Sequence, residues 1–425
     1  MLLRLLEGRA ALTYEALSEE EKTLPFSQLK TILVNKLTSG TGRRAIAFFG
    51  ADDFMSNMFP AVIKVAGETF ESVEAGYQWA KCFVSEDDAA RKDVMSLAAD
   101  PKQCKQRAKT YKLKWAINQK LWDTVKYKVM LSLQMAKYRQ NPELAARLQE
   151  TGNAWLIEAS PYDADWGCKL GKEALRCHLQ YNESLPGDNH MGNLVMEVRS
   201  YLQGIRVYPK ALMVADSQGR RLAHSSCFDV ISMPGGKLQL LLKTARLVVH
   251  EGYRSVIIFG GTNNVVVRFK DGKRFSHKVG RFKSVEHQLE SQLFRFVQEL
   301  PEVTVFLFEI PPRLGGPLLD ESAGLLNRVN NYFACISNKL RQGQRGLKGK
   351  VHTIKVHVLL KDEKFFAVST GTGGSVDIDI HLNQCGASLV QREIEAALGC
   401  SASSEGRPGS MRSEVVRAAK KQRHQ

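Results

Sequence analysis

The sequence predicts an α+β, mainly helical domain followed by an α/β three-layer domain with a mostly parallel sheet. Three observations predict it. At 425 residues the chain exceeds the size at which one hydrophobic core stops growing, and 44% hydrophobic residues are enough for two cores. Between Arg44 and about Leu202 apolar residues recur mainly at helical spacing, with a few strand-like runs. After the short spacer Gln203-Gly204-Ile205-Arg206, apolar runs of strand length alternate with amphipathic helical stretches, the pattern of a sheet covered on both faces.

Within the first domain, Ala116 to Tyr138 puts Leu121, Val125, Val129, Leu133 and Ala136 on one helical face. Asn141-Pro142-Glu143 offers an N-cap, a proline at the first helical position and an early carboxylate, and Thr151-Gly152 supplies the stop. In the second domain the expected strands are Ala211 to Ala215, Val256 to Phe259, Val303 to Phe308 and Val351 to Leu360, with helices over Lys237 to Val249 and Glu286 to Leu300. The expected divisions are 1–43, a helical extension; 44–203; 207–400; and 401–425, a basic disordered tail ending in Arg417, Lys420, Lys421 and Arg423.

A formal charge of +16 points to phosphorylated or polyanionic partners. The eight cysteines, which include Cys227 and Cys400, are scattered without a C-x-x-C pair, so they read as free thiols in a reducing compartment. Neither a clustered metal-ligand set nor an apolar stretch of about 18 residues is visible. The expectation is a soluble intracellular protein, cytoplasmic or nuclear, that needs no cofactor or metal and contacts no membrane.

The ordered set F-M-S-N-M-F-P, F-E-S-V-E, Q-W-A-K, L-I-E-A-S-P-Y-D-A-D-W-G and N-H-M-G-N-L-V-M-E-V-R resembles the NADAR family, the YbiA-like N-glycosidases. The resemblance implies cleavage of the bond between a phosphorylated ribose and a base, with ADP-ribose-containing or phosphoribosyl substrates. Glu74 and Asp163 stand where it implies catalytic carboxylates. Ser56, Asn57, Lys81, Trp122, Trp166, Gly167 and Asn189 stand where it implies substrate binding, the tryptophans beside the base. The residue chemistry agrees, because leaving of the base builds positive charge on the sugar that a carboxylate stabilises. The sequence departs from the family pattern at Ala75, at Arg107-Ala108-Lys109 and at Cys168-Lys169-Leu170. The stretch 102–128 interleaves lysines with Tyr111 and Trp115, a composition suited to nucleic acid.

Four later blocks, V-A-D-S, P-G-G, G-G-T-N-N and D-I-D-I-H-L-N-Q-C-G, resemble SGNH, or GDSL-like, hydrolases over about 207–400. That resemblance implies a nucleophile at Ser217, oxyanion donors at Gly235 and Asn263, and a general base at His381. The position expected to hold the histidine's acid is Ile378, between Asp377 and Asp379. Residues 1–40 resemble, over a short span, a stretch of retroelement Gag capsid domains. Two alternatives to the N-glycosidase stand beside it: a non-catalytic ADP-ribose-binding module, and an esterase working through Ser217 and His381.

Overall fold

In the computed structural model, residues 22, 44–111, 116–180, 184–222, 227–268, 275–277, 291–299, 302–309, 331, 351–355, 359–360, 366–370 and 376–400 are described. The Gag-like segment, apart from Lys22, and the basic tail lie outside them. Contacts divide the chain into two units, 1–208 with 243–252, and 209–242 with 253–425.

The first unit mixes helix and strand. Its strands are β1 (Ala45–Phe48), β2 (Pro60–Val65), β3 (Glu68–Ser72) and β4 (Trp155–Glu158). β1 and β4 pair in parallel, β2 and β3 antiparallel. The β2–β3 turn is Ala66-Gly67, both at positive φ (54° and 81°), as a tight two-residue hairpin requires. Helices α1 (Val73–Val84), α2 (Asp88–Met95), α3 (Pro101–Thr110), α4 (Ala116–Gln140), α5 (Pro142–Glu150), α6 (Lys172–Gln180) and α7 (His190–Leu202) complete it.

Local chemistry sets these boundaries. Ser72 caps α1 by accepting from Ala75 N at 3.2 Å. Asp100 caps α3 through the N–H groups of Lys102 and Gln103, with Pro101 at the first helical position. α5 starts at Pro142 as expected, but Asn141 does not cap it with its side chain; the Asn141 amide donates back to Lys137 O at 2.8 Å. Gly152 at φ 62° follows the end of α5.

α4 buries more than the expected stripe. Val125, Val129 and Leu133 are buried, and so are Ser132, Gln134 and Lys137. The Lys137 ammonium group, fully enclosed, donates to Ser56 O at 2.7 Å, and burial lowers its pKa to about 7. The lysine thereby ties α4 to the loop that carries Ser56 and Asn57.

In the second unit a five-stranded sheet runs in the order β11-β10-β7-β5-β6, with every pairing parallel. Its strands are β5 (Ala211–Ala215), β6 (Phe228–Ser232), β7 (Ser255–Phe259), β10 (Thr304–Phe308) and β11 (Val351–Ile354). β5 and β7 are buried at every position, as central strands covered on both faces must be. Two antiparallel pairs lie outside this sheet, β8 (Val266–Arg268) with β9 (Phe275–His277), and β12 (Phe366–Thr370) with β13 (Val376–Leu382). Helices α9 (Thr262–Val265) and α10 (Gln384–Ala397) and a helical stretch over 291–299 belong to this unit, whereas α8 (Leu238–Val248) is divided between the two at Leu242. Met213, Phe228, Ile257, Phe259, Phe308, Val390 and Ile394 form the core of this unit.

The reading of eight free thiols is corrected at one pair. Cys227 and Cys400 form a disulfide across 173 residues, with their Cα atoms 6.5 Å apart. Spacing in sequence cannot anticipate a proximity that the sheet and α10 create.

Candidate active site

A cavity of about 750 Å³ in the first unit is lined by Glu74, Asp163, Ser56, Asn57, Lys81, Trp122 and Trp166. Folding thus brings together seven of the nine residues singled out in this domain. The two remaining, Gly167 and Asn189, support it from behind. A Cβ on Gly167 would lie 2.7 Å from the Ser160 Cβ, so the glycine permits close packing of the loop. Asn189, at φ 52°, turns its side chain to β4, accepting from Glu158 N at 2.9 Å and donating to Leu156 O at 3.0 Å. Each end of the amide thus makes one bond that fixes β4, and the cavity lining does not include Asn189.

Glu74 lies in the first turn of α1, only 1% exposed. Its backbone N–H donates to Asn57 O at 2.9 Å. The Asn57 amide donates to Oε2, and the Gln78 amide donates to Oε1 at 2.6 Å. Burial raises its pKa, opposed by Lys105, the Gln78 hydrogen bond and Lys81, and reinforced by Asp163. Asp163 Oδ1 accepts from the N–H groups of Asp165 and Trp166 at 3.0 and 2.9 Å, which folds the D-A-D-W loop around it.

One wall is aromatic. Tyr77 meets Trp122 edge-on at 5.0 Å and Trp166 at 5.7 Å, and Tyr127 packs on Trp166 at 5.1 Å. The opposite character comes from α3, where Lys102, Lys105 and Lys109 share the face that lines the cavity. Arg107 points elsewhere and pairs with Asp93 at 2.8 Å. Of the basic stretch 102–128, residues 112–115, which include Trp115, lie outside the described residues.

Sequence reasoning missed Glu158 and Asp165 in this cavity. Glu158 ends β4 at 9% exposure. Burial, Asp163 and Glu74 raise its carboxyl against Lys105, to about 7. The signal was present, an acid directly after the apolar run Trp155-Leu156-Ile157. Asp165 accepts from Lys126 at 2.7 Å and from the Tyr127 hydroxyl. Against the burial that raises it, these bonds hold its carboxyl below the usual range. Asp165, Asp188 and His190 bring ligand atoms within 4.8 Å of one another, and the Lys126 ammonium group already pairs with Asp165.

In the second unit, Ser217 opens a 3-10 turn directly after β5, and Asp216 caps that turn. Gly235 lies in a turn at φ 77°. The Asn263 amide donates to Gly236 O at 3.1 Å and is directed at Asp216 Oδ2 at 3.5 Å. Both contacts tie the Asn263 amide to protein oxygens in this arrangement. His381 lies on β13, and Leu382 N beside it donates to Gln218 Oε1 at 3.4 Å. The His381 side chain lies outside the described residues.

The cavity thus combines enclosed acids, a wall of flat rings and a lysine face. Residues 44–203 match the NADAR domain model. Over 149 residues the chain is 31% identical to an N-glycosidase of Acanthamoeba polyphaga mimivirus, covering 34% of this chain and 84% of the relative. It is 30% identical to an N-glycosidase of Nostoc punctiforme, covering 35% and 85%. It is also 30% identical to N-glycosidase YbiA of Escherichia coli, covering 36% and 84%. The NMR structure of E. coli YbiA is 25% identical with TM-score 0.29, covering 40% of this chain and 90% of that one. A GDSL-like lipase from Bacteroides thetaiotaomicron is 12% identical with TM-score 0.30, covering 44% and 87%. Through residues 44–203, the chain belongs to the NADAR family.

Proposed function

We propose that this protein is an N-glycosidase that hydrolyses the bond between C1′ of a phosphorylated ribose and a base, as in an ADP-ribosylated or phosphoribosylated base such as ADP-ribosyl-guanine. The observation that carries the reading is Glu74, a carboxyl enclosed in the cavity with each oxygen accepting from a fixed amide. These two bonds fix the carboxyl in place, so that in its ionised form it is preorganised against the positive charge that grows at C1′. Asp163, held by two backbone N–H groups, adds a second fixed acceptor. Trp122 and Trp166 offer faces and edges for the base, and Lys102, Lys105 and Lys109 suit the phosphates. The names of the relatives support the same chemistry.

The test is to incubate the full chain, beside its Glu74→Gln variant, with ADP-ribosylated guanine in DNA and with the free ADP-ribosyl nucleoside, following base release by mass spectrometry. Release by the wild type alone is expected. Ligand retained by calorimetry without release would instead make the site a binding module. Preference for the modified DNA would assign the lysine face to the polymer.

A further inference from the structure

The carboxyls of Glu74 and Glu158 line the same cavity in opposite states of satisfaction. Both Glu74 oxygens accept hydrogen bonds. Glu158 Oε2 is buried and has no partner, although the Glu158 backbone is locked, its N–H on Asn189 and its carbonyl accepting from Ser160 and Cys168. An acid without a hydrogen-bond donor, enclosed beside two other carboxylates, holds its proton more tightly than an ordinary carboxyl, and a protonated carboxyl is itself a donor without an acceptor. The charged groups that act on it are Asp163 and Glu74, which favour that proton, and Lys105, which opposes it. The two acids therefore differ in what holds their oxygens: Glu74 is fixed by two amides, while the buried Glu158 Oε2 is left to carry a proton.

We propose that Glu158 is the catalytic acid of this site, the group that protonates the departing base. The assignment rests on the N-glycosidase reading. As the C1′–N bond breaks, its electron pair goes to the base nitrogen, which takes the proton from Glu158. Water then bonds to C1′ through its oxygen and gives a proton to the Glu158 carboxylate, so one water is consumed and the acid is restored.

The experiment compares wild type, Glu158→Gln and Glu158→Asp on ADP-ribosyl-guanine nucleoside, measuring kcat and KM from pH 5.5 to 9. Melting curves and calorimetry with ADP-ribose report fold and binding. Wild-type kcat should fall above roughly pH 7, and Glu158→Gln should lose about 10²–10⁴-fold in kcat at low pH while KM stays within about threefold and the alkaline fall disappears. Glu158→Asp, which keeps a carboxyl on a shorter arm, should retain that fall at reduced rate, and it carries the test if the Gln variant does not fold. Full kcat in either variant, or an alkaline fall that persists in Glu158→Gln, overturns the assignment. A wild type that releases no base overturns the N-glycosidase reading and this assignment together, whereas a competent wild type with an unaffected Gln variant removes the assignment alone.

Discussion

Residues 44–203 and the sheet of the second unit were both legible as short motifs spaced along the chain, yet the motif residues are used differently in the two. In the first, Asn57 and Gln78 turn their amides onto Glu74 and leave a cavity in front of it. In the second, the amide of Asn263, a residue type suited to an oxyanion, is directed at Gly236 O and Asp216. Retaining a motif is therefore weaker evidence of chemistry than the direction of its hydrogen bonds.

The largest expected effect breaks or upholds this contrast directly. Glu74→Gln should lower base release by about 10²–10⁴-fold, while Ser217→Ala leaves release unchanged; a loss in the serine variant equal to that in the glutamine variant would erase the contrast.

Next comes the pH dependence of stability. The Glu158 carboxyl rises from an ordinary 4.5 to about 7 in the fold, so between these values the folded protein binds more protons than the unfolded chain. Stability that is fully present at low pH is then lost as pH rises through about 7, by on the order of 3 kcal/mol. Urea midpoints at pH 5 and pH 8 should differ less in Glu158→Gln than in wild type; identical differences would show that the carboxyl ionises freely.

A cut behind each region sharpens the comparison. Asn189→Ala leaves Glu158 N and Leu156 O without their partners and should cost about 2–3 kcal/mol. Asn383→Ala removes the cap on α10, where Oδ1 accepts from Gly386 N, and should cost about 1 kcal/mol. Chemical denaturation of both variants measures the difference, and the reverse order would place the tighter scaffold in the second unit.

The smallest effect concerns the lysines. Reversing Lys105 and Lys109 together should weaken ADP-ribose binding roughly tenfold at low salt and less at high salt. Reversing Arg107, already paired with Asp93, should leave affinity unchanged in calorimetry.

Several elements were readable because their causes are local. α5 begins at Pro142 and ends before Gly152, and β5 and β7 are apolar at nearly every position, because caps, stops and two-sided burial act through neighbours in sequence. β6 escaped notice: Phe228-Asp229-Val230-Ile231-Ser232 carries an acid, and its place as a strand depends on pairing with β5. The burial of Lys137 depends likewise on packing, since its ammonium group donates to Ser56 O across 81 residues.

The sequence by itself determined helices α4 and α5, the central strands of the second unit, the family resemblance of 44–203 and the choice of Glu74, Asp163, Trp122 and Trp166 as a set. Only tertiary structure decided that Glu158 joins them, that Asn189 serves β4, that Lys105 and Lys109 face the cavity while Arg107 does not, and that Cys227 meets Cys400. The physical reason is that residue type and spacing fix what a side chain can do, whereas solvent access and the partners on its lone pairs and N–H groups arise from segments distant in sequence.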